Sequence, residues 1–267
     1  MRLGGWLVLA TLLMTTLAAR AQPEAAPVRL YAAGSLREAL TEVARQFEAE
    51  TGQKVALTFG ASGLLRERIE KGEGAQVFAS ADTDHPQRLA QAGGWQPPVV
   101  FTRNLMCALV SPSVDVTPET LLETMLRPAV RVGTSTPRDD PSGDYAWALF
   151  RRADAVRPGS YTALDTKALQ LTGGADSPKP PAGRSTYAWV MDEGKADLFL
   201  TYCTNAVVAQ REVSRLKIIA VPSALQVAAS YGLTWRIDAD AAATRLAQFL
   251  LSPAAQAVFQ RHGFGQP

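Results

Sequence analysis

Residues 28–38 read VRLYAAGSLRE, a short apolar run that breaks at a glycine and continues as a helical pattern. The run predicts a strand at Val28–Ala33. Beyond it, apolar residues recur at spacings of 4, 3 and 4, which is one face of a 3.6-residue helix: Leu36, Leu40, Val43 and Phe47. A strand that leads directly into a helix is the repeating unit of a mainly parallel α/β sheet.

The same alternation of strand and helix continues along the chain, which predicts an α/β fold. The predicted strands are residues 55–59, 76–80, 105–110, 129–133, 197–203 and 217–221, with an extended segment at 231–237. The predicted helices are residues 64–71, 85–92, 118–125, 143–152, 186–193, 240–251 and 253–261. Glycine and proline cluster at 173–183, which predicts an exposed loop because they do not continue a helix or an inner strand.

The composition of the 267 residues, 47% apolar and 19% charged, is that of a globular protein. The chain has 27 basic and 25 acidic residues. Arg2 and Arg20 lie in a leader that we expect to be removed, so the remaining charges balance. A balanced chain lacks the concentrated positive field that binds nucleic acid or an acidic membrane surface.

Residues 1–21 have the three parts of a signal peptide: Arg2, an apolar stretch from Trp6 to Leu17, and Ala19-Arg20-Ala21 with small residues at the cleavage site. We expect cleavage before Gln22 and an exported protein. A membrane anchor is the alternative. The stretch is shorter than the roughly 20 apolar residues that span a bilayer, and threonines interrupt it.

Three predicted strands end in turns that contain serine. Ser35 follows the first strand and forms a Ser-x-x-Glu pattern with Glu38, which is typical of a helix capping box. Ser62 follows the second strand, and Ser142 opens the helix after 129–133. Each serine alone is explained as a helix cap. The set of three, with no carboxylate in the first two turns, favours a small anion, because free helix N–H groups at strand ends attract negative charge.

The sequence gives little support to an enzyme. Gly60-Ala61-Ser62-Gly63-Leu64 lacks the last glycine of a nucleophile elbow, and the bases available are His85 and His262. His262 stands at a helix end, where a cationic C-cap explains it. The sequence has no dinucleotide or P-loop motif and no zinc-type spacing. We therefore expect no catalytic residues, no cofactor and no direct protein ligands to a metal.

Several segments resemble the periplasmic molybdate- and tungstate-binding proteins of ABC importers, a branch of the type II periplasmic-binding fold. Tyr31-Ala32-Ala33-Gly34-Ser35-Leu36 resembles the opening strand and turn of that family. Phe59-Gly60-Ala61-Ser62-Gly63 resembles its second anion turn, and the similarity covers about residues 28–264. The later matching segments are Val77–Asp82, Val132-Gly133 with Pro141–Ala146, and Leu198–Ala206.

The resemblance implies a two-lobed type II fold, in which each lobe is a mainly parallel sheet flanked by helices and two crossover strands join the lobes. The first lobe would contain residues 28–104 and 234–267, and the second lobe residues 105–233. The resemblance also implies a function. A periplasmic monomer would capture molybdate or tungstate between its lobes, binding the metal only as its oxyanion, and deliver it to a permease in the inner membrane.

In that family two first-lobe hydroxyls, second-lobe backbone N–H groups and a tyrosine hold the oxyanion without formal positive charge. The matching positions are Ser35, Ser62, Ser142 and Tyr202, with the last backbone contact at Arg184 or Ser185. Family members commonly have an apolar residue at that last position. Either Arg184 adds a charge-assisted hydrogen bond to the ligand, or it points to solvent.

Other readings of the same cleft stay open. The ligand is then sulfate, phosphate, chromate or a small metal chelate, or the protein is an exported sensor or scaffold without a transport role. The resemblance places Cys107 and Cys203 on strands of the second lobe, where a disulfide bond and two buried free thiols explain them equally well. Trp147, Tyr187 and Trp189 lie in predicted helices, where packing explains them better than ligand contact.

Overall fold

The structure, a computed structural model, describes residues 25–267; the predicted signal peptide at 1–21 lies outside this range. Strands and helices alternate along the chain, and the fold is of the α/β class predicted from the sequence. Within the described range, no helix has the length and apolar content needed to cross a bilayer.

Residues 25–267 form nine strands that are joined in one continuous sheet. The strands are β1 (Val28–Ala33), β2 (Val55–Gly60), β3 (Val77–Ser80), β4 (Val99–Val110), β5 (Val132–Ser135), β6 (Leu169–Thr172), β7 (Leu198–Tyr202), β8 (Lys217–Ala220) and β9 (Ala228–Trp235). Their order is β2-β1-β3-β9-β4-β7-β5-β6, and β8 pairs with β4 outside this path.

The sheet has two halves. In the half that we call the first lobe, β1 pairs in parallel with β2 and β3. In the half that we call the second lobe, β5 pairs in parallel with β6 and β7. Two long antiparallel strands join the halves: residues 99–105 of β4 pair with β9, and residues 106–110 pair with β7 and β8. The lobe boundaries predicted from the sequence fall inside β4 and β9 and stay a prediction.

Helices cover the faces of the sheet. They are α1 (Arg37–Thr51), α2 (Ser62–Glu70), α3 (Asp84–Ala92), α4 (Leu121–Leu126), α5 (Pro141–Val156), α6 (Ser160–Lys167), α7 (Thr186–Asp192), α8 (Cys203–Glu212), α9 (Ala241–Leu250) and α10 (Pro253–Arg261). The predicted apolar face of α1 is buried, since Leu40, Val43 and Phe47 are at most 1% exposed. Burial of each such side chain stabilises the fold by about 1.5–3 kcal/mol.

Some elements have no clear signal in the sequence. The pattern does not predict α6, β6 or α8, and β4 begins at Val99 rather than at Leu105. In α8 the buried positions include the small residues Ala206 and Ala209, whereas Val207 is 39% exposed. The apolar periodicity on which a helix prediction depends is therefore weak in this segment.

The predicted capping box of Ser35 and Glu38 is wrong. Ser35 lies inside a short 3-10 turn, Gly34–Leu36, which precedes α1, and no side chain caps either helix. The hydroxyl of Ser35 instead pairs with the phenol of Tyr231 on β9. The Ser35 hydroxyl, which the local pattern assigns to a helix cap, thus forms a hydrogen bond with a residue distant in sequence instead.

Cys107 and Cys203 are joined by a disulfide bond. Cys107 lies on β4, as predicted. The sequence predicts Cys203 to be the last residue of a strand, but it is the first residue of α8. The bond ties a central strand of the sheet to the turn that follows Tyr202.

Candidate functional site

A cavity of about 1000 Å³ lies at the strand ends between the two lobes, and we call it the cleft. Ser35 and Ser62 of the first lobe line it, as do Ser185 and Tyr202 of the second. Ser142 is fully buried and is not part of the cleft wall, but it lies next to Asp140, which is. The fold therefore brings the serines and the tyrosine singled out in the sequence to one place.

Ser35 belongs to a polar network that crosses between the two long strands. Its hydroxyl and the hydroxyl of Tyr231 are 2.9 Å apart. The amide nitrogen of Asn104 donates to Tyr231 at 3.3 Å and to the hydroxyl of Thr204 at 2.8 Å. Because Asn104 and Tyr231 are buried, this network fixes the position of Ser35 at the edge of the cleft.

The side chain of Ser62 is positioned by a backbone group of the first lobe. Its hydroxyl accepts a hydrogen bond from the backbone N–H of Ala81 at 3.1 Å. Ala61, not Ser62, is the N-cap of α2, and no side chain caps this helix. A hydroxyl that accepts one bond keeps its own proton for a second partner. Ser62 can therefore donate to a molecule bound in the cleft.

Among the buried hydroxyls that have no hydrogen-bond partner within residues 25–267, two belong to predicted site residues: Ser142 Oγ and the phenol of Tyr202. Tyr202 is 1% exposed, and its ring packs against Tyr231 at 5.5 Å and Tyr145 at 6.1 Å between ring centroids. Burial raises the pKa of Tyr202 well above its ordinary value, so its hydroxyl keeps its proton. An unpartnered buried hydroxyl costs about 1–3 kcal/mol, which a bound ligand can recover.

Asp140 also lines the cleft, although no motif in the sequence marks it as a ligand contact. It is the N-cap of α5, and its carboxylate accepts from the backbone N–H of Ser142 at 3.1 Å. Burial raises the pKa of Asp140 to about 6. The sequence carries a signal for this role, since Asp140 precedes Pro141 and Ser142, and Asp followed by Pro at the first helical position is a common helix start.

At α7 the backbone N–H of Ser185 donates to a carboxylate oxygen of Glu212 at 2.7 Å. The guanidinium of Arg184 donates to the same carboxylate at 2.7 Å and to Asp192 at 3.1 Å. These hydrogen bonds raise the pKa of Arg184. Arg184 borders the cleft, but two carboxylates of its own lobe engage its charge. Contact between Arg184 or Ser185 and a ligand stays a prediction.

Tyr187 also lines the cleft, although its helical context favours a packing role. Burial and the nearby charge of Asp140 raise the pKa of Tyr187 to about 12, against the influence of the hydroxyls of Ser135, Thr201 and Ser142. Tyr187 therefore adds another neutral hydroxyl to the second-lobe side of the cleft.

His85 lies in a second cavity of about 630 Å³, on the α3 side of the contact between the lobes. Its side chain is 3.7 Å from the Asp82 carboxylate, and burial lowers the pKa of His85 and raises that of Asp82. Neither residue lines the cleft that contains Ser62. Among residues 25–267, no group of three or more His, Cys, Asp or Glu side chains is arranged to hold a metal ion.

Comparison with known proteins places this chain in a family. The sequence profile described as bacterial extracellular solute-binding protein matches residues 28–265. An uncharacterized protein of Pasteurella multocida is 36% identical over 207 residues, which are 77% of this chain and 86% of that protein. The molybdate-binding protein ModA of Mycobacterium bovis is 25% identical over 251 residues, covering 89% of this chain and 84% of that protein.

Solved structures share the fold. The sulfate-binding protein SubI from Mycobacterium tuberculosis superimposes with a TM-score of 0.73 at 18% identity, over 89% of this chain and 86% of that one. PEB3 with bound L-phospholactate superimposes with a TM-score of 0.70 at 15% identity, over 90% of this chain and all of that one. At these identities the likeness concerns the arrangement of the chain, which is a two-lobed α/β fold.

Proposed function

The chain belongs to the bacterial extracellular solute-binding proteins, and from this premise we propose that it captures a tetrahedral oxyanion in the cleft. The phenol of Tyr202 carries the proposal, because it is buried, unpartnered and part of the cleft wall. Ser142 adds a second unpartnered hydroxyl on the same side. Two buried donors without partners are satisfied by a ligand that consists of acceptor oxygens.

The first lobe would complete the shell around the anion. Ser62 has a free proton, and Ser35 is oriented by Tyr231. Neutral hydroxyls and helix N-termini stabilise an anion through directed hydrogen bonds, without a formal positive charge. Within the class of oxyanions, the sequence resemblance supports molybdate or tungstate.

A second candidate is a phosphate-type ligand. The cleft, at about 1000 Å³, has the size of pockets that enclose organic molecules and exceeds the needs of a bare oxyanion. The carboxylate of Asp140 at its wall favours a ligand with a hydrogen-bond donor. The structural neighbour PEB3 was solved with L-phospholactate, an organic phosphate.

The transport role extends the proposal to the cell. Residues 1–21 would direct export to the periplasm, and the mature monomer would deliver its ligand to an ABC permease in the inner membrane. An exported sensor or scaffold with the same cleft is the alternative. Loss of uptake of the bound anion after deletion of the gene supports transport, and normal uptake supports the alternative.

The direct test is calorimetric titration of the protein, purified after export, with molybdate, tungstate, sulfate and phosphate. We expect at least one oxyanion to bind with a Kd in the micromolar range or below. Tyr202→Phe should weaken this binding about tenfold or more, because one hydrogen bond to the anion is lost. Tyr161→Phe removes a phenol outside the cleft and should leave the affinity unchanged. Binding that ignores both changes, or no binding of any oxyanion, contradicts the proposal.

A further inference from the structure

The second lobe offers fewer backbone donors to an anion than its helix starts suggest. The N–H of Ser142 is taken by the Asp140 carboxylate at 3.1 Å, and the N–H of Ser185 by the Glu212 carboxylate at 2.7 Å. These are the two helix starts at which the family resemblance implies backbone contacts with the ligand. Each already has an anionic partner from the chain itself.

The two carboxylates differ in their charge balance. Glu212 is paired with the guanidinium of Arg184. Among residues 25–267, Asp140 forms no salt bridge, and the groups that stabilise its charge are neutral: the backbone N–H of Ser142 and the hydroxyl of Ser135. The acidic groups that influence it most are Asp144 and Asp82, which make ionisation of Asp140 harder. Asp140 therefore places at the cleft wall a carboxylate whose negative charge is not neutralised by a basic side chain among the described residues.

The fold leaves space for this carboxylate. Gly173, which has φ of +78°, stands beside it, and a Cβ atom at that position would lie 2.6 Å from Oδ2 of Asp140. One carboxylate oxygen is engaged by the N–H of Ser142. The hydroxyl of Ser135 also stabilises the carboxylate, and the two carboxylate oxygens can accept more hydrogen bonds than these two groups donate. An acceptor of this kind repels a ligand that has only acceptor oxygens and binds one that has an O–H group.

We propose that Asp140 is a specificity-determining residue that accepts a hydrogen bond from the ligand, so that the cleft selects hydroxyl-bearing oxyanions. Hydrogen phosphate is the simplest member of this class, because it keeps a proton at neutral pH. Sulfate, molybdate and tungstate lose both protons under the same conditions. The inference rests on the proposed function, since it concerns which oxyanion the same cleft prefers, and it favours the phosphate-type candidate over molybdate and tungstate.

The mechanism of selection is a matched pair of hydrogen bonds. Tyr202 and Ser142 donate to ligand oxygens, and Asp140 accepts from the ligand hydroxyl. A ligand without that hydroxyl would leave two negatively charged oxygens facing each other in a site partly removed from water. Sites built to bind a substrate hydroxyl reject analogues that lack it more strongly than apolar pockets reject a change in size.

The test compares the Kd values of phosphate, sulfate and molybdate for the full protein and for Asp140→Asn at pH 7.5. For the unmodified protein we expect phosphate to bind at least tenfold more tightly than the other two. In Asp140→Asn the amide oxygen still accepts from Ser142, and the amide N–H₂ replaces the second carboxylate oxygen as a donor. Sulfate and molybdate should therefore gain affinity, and the preference for phosphate should fall about tenfold or reverse.

Asp139→Asn is the matched control, since it neutralises the adjacent carboxylate, which does not line the cleft. It should keep the preference for phosphate. Asparagine is as good an N-cap as aspartate, so Asp140→Asn should fold normally, which circular dichroism checks. Equal binding of all three anions to the unmodified protein, or an unchanged preference in Asp140→Asn, overturns the assignment of Asp140 and leaves oxyanion capture intact. Failure of every anion to bind removes the proposed function itself.

Discussion

The backbone N–H of Gly63 donates to the carbonyl oxygen of Asp139 at 2.8 Å. This bond joins the first turn of α2, in the first lobe, to the loop before α5, in the second. A Cβ atom on Gly63 would stand 2.2 Å from the carbonyl oxygen of Arg138 and 2.7 Å from that of Asp139. The approach of the two lobes therefore depends on the absence of a side chain at position 63.

Gly63→Ala should weaken ligand binding about tenfold or more, because the added methyl group prevents the lobes from closing on the ligand. The measurement is calorimetric titration together with the radius of gyration from small-angle scattering at saturating ligand. Gly265→Ala is the control, since Gly265 does not line the cleft and a Cβ there would be no closer than 3.6 Å to any atom outside its neighbours. A Gly63→Ala protein that compacts and binds as the unmodified protein does would contradict this view of closure.

The pH dependence of stability should reveal Asp140. Its pKa is about 6 in the fold, against an ordinary value near 3.9 in an unfolded chain. Between these values the folded protein binds more protons than the unfolded chain, so this carboxyl lowers stability as the pH rises from about 4 to about 6. Asp140→Asn should therefore raise the Tm at pH 8 and leave it unchanged below about pH 4. Scanning calorimetry at both pH values measures this, and equal Tm shifts at both would rule out the mechanism.

Tyr231→Phe should destabilise the protein by about 1–3 kcal/mol, because it leaves the hydroxyl of Ser35 and the amide of Asn104 short of a partner. It should also weaken oxyanion binding, since Ser35 loses its orientation. Urea denaturation and titration measure the two effects. Tyr161→Phe, outside the cleft, is the control. Unchanged stability in Tyr231→Phe would show that the network does not hold the site.

Reduction of the disulfide should lower the free energy of unfolding by about 2–4 kcal/mol, because the bond closes a long loop in the unfolded chain. The measurement is the denaturation midpoint with and without a reductant. A Cys107→Ala, Cys203→Ala protein should be less stable and indifferent to the reductant. An unmodified protein whose midpoint does not respond to reduction would count against a stabilising role.

Much of the fold follows from local pattern. The strand–turn–helix alternation predicts β1, α1, β2 and β3, because each has its own apolar periodicity, and the turns of Ser35 and Ser62 come with them. The helix α8 escapes such a prediction, because small buried residues give no periodic signal.

The inner detail of the site has a different origin. Ser35 and Tyr231 are 196 residues apart in the chain, and their bond depends on how β9 crosses between the lobes. Arg184 illustrates the same limit: its partner Glu212 lies at the end of another helix, so its sequence neighbours do not indicate whether its charge is free. Local sequence predicts the turns that bring Ser35 and Ser62 to the cleft, and tertiary pairing decides which hydroxyls there remain free to bind.

The bond between Cys107 and Cys203 also makes most of the second lobe a covalent ring. The proline-rich loop at 173–183 is largely exposed and lies inside this ring. A protease that cuts there opens the ring without releasing a fragment, because the two new chain ends stay attached through the sulfur atoms. A nicked molecule would keep Tyr202 next to β4 and separate into two pieces only after reduction. In an oxidising compartment with active proteases, the two parts of the chain can therefore stay covalently linked after a cut in this exposed loop.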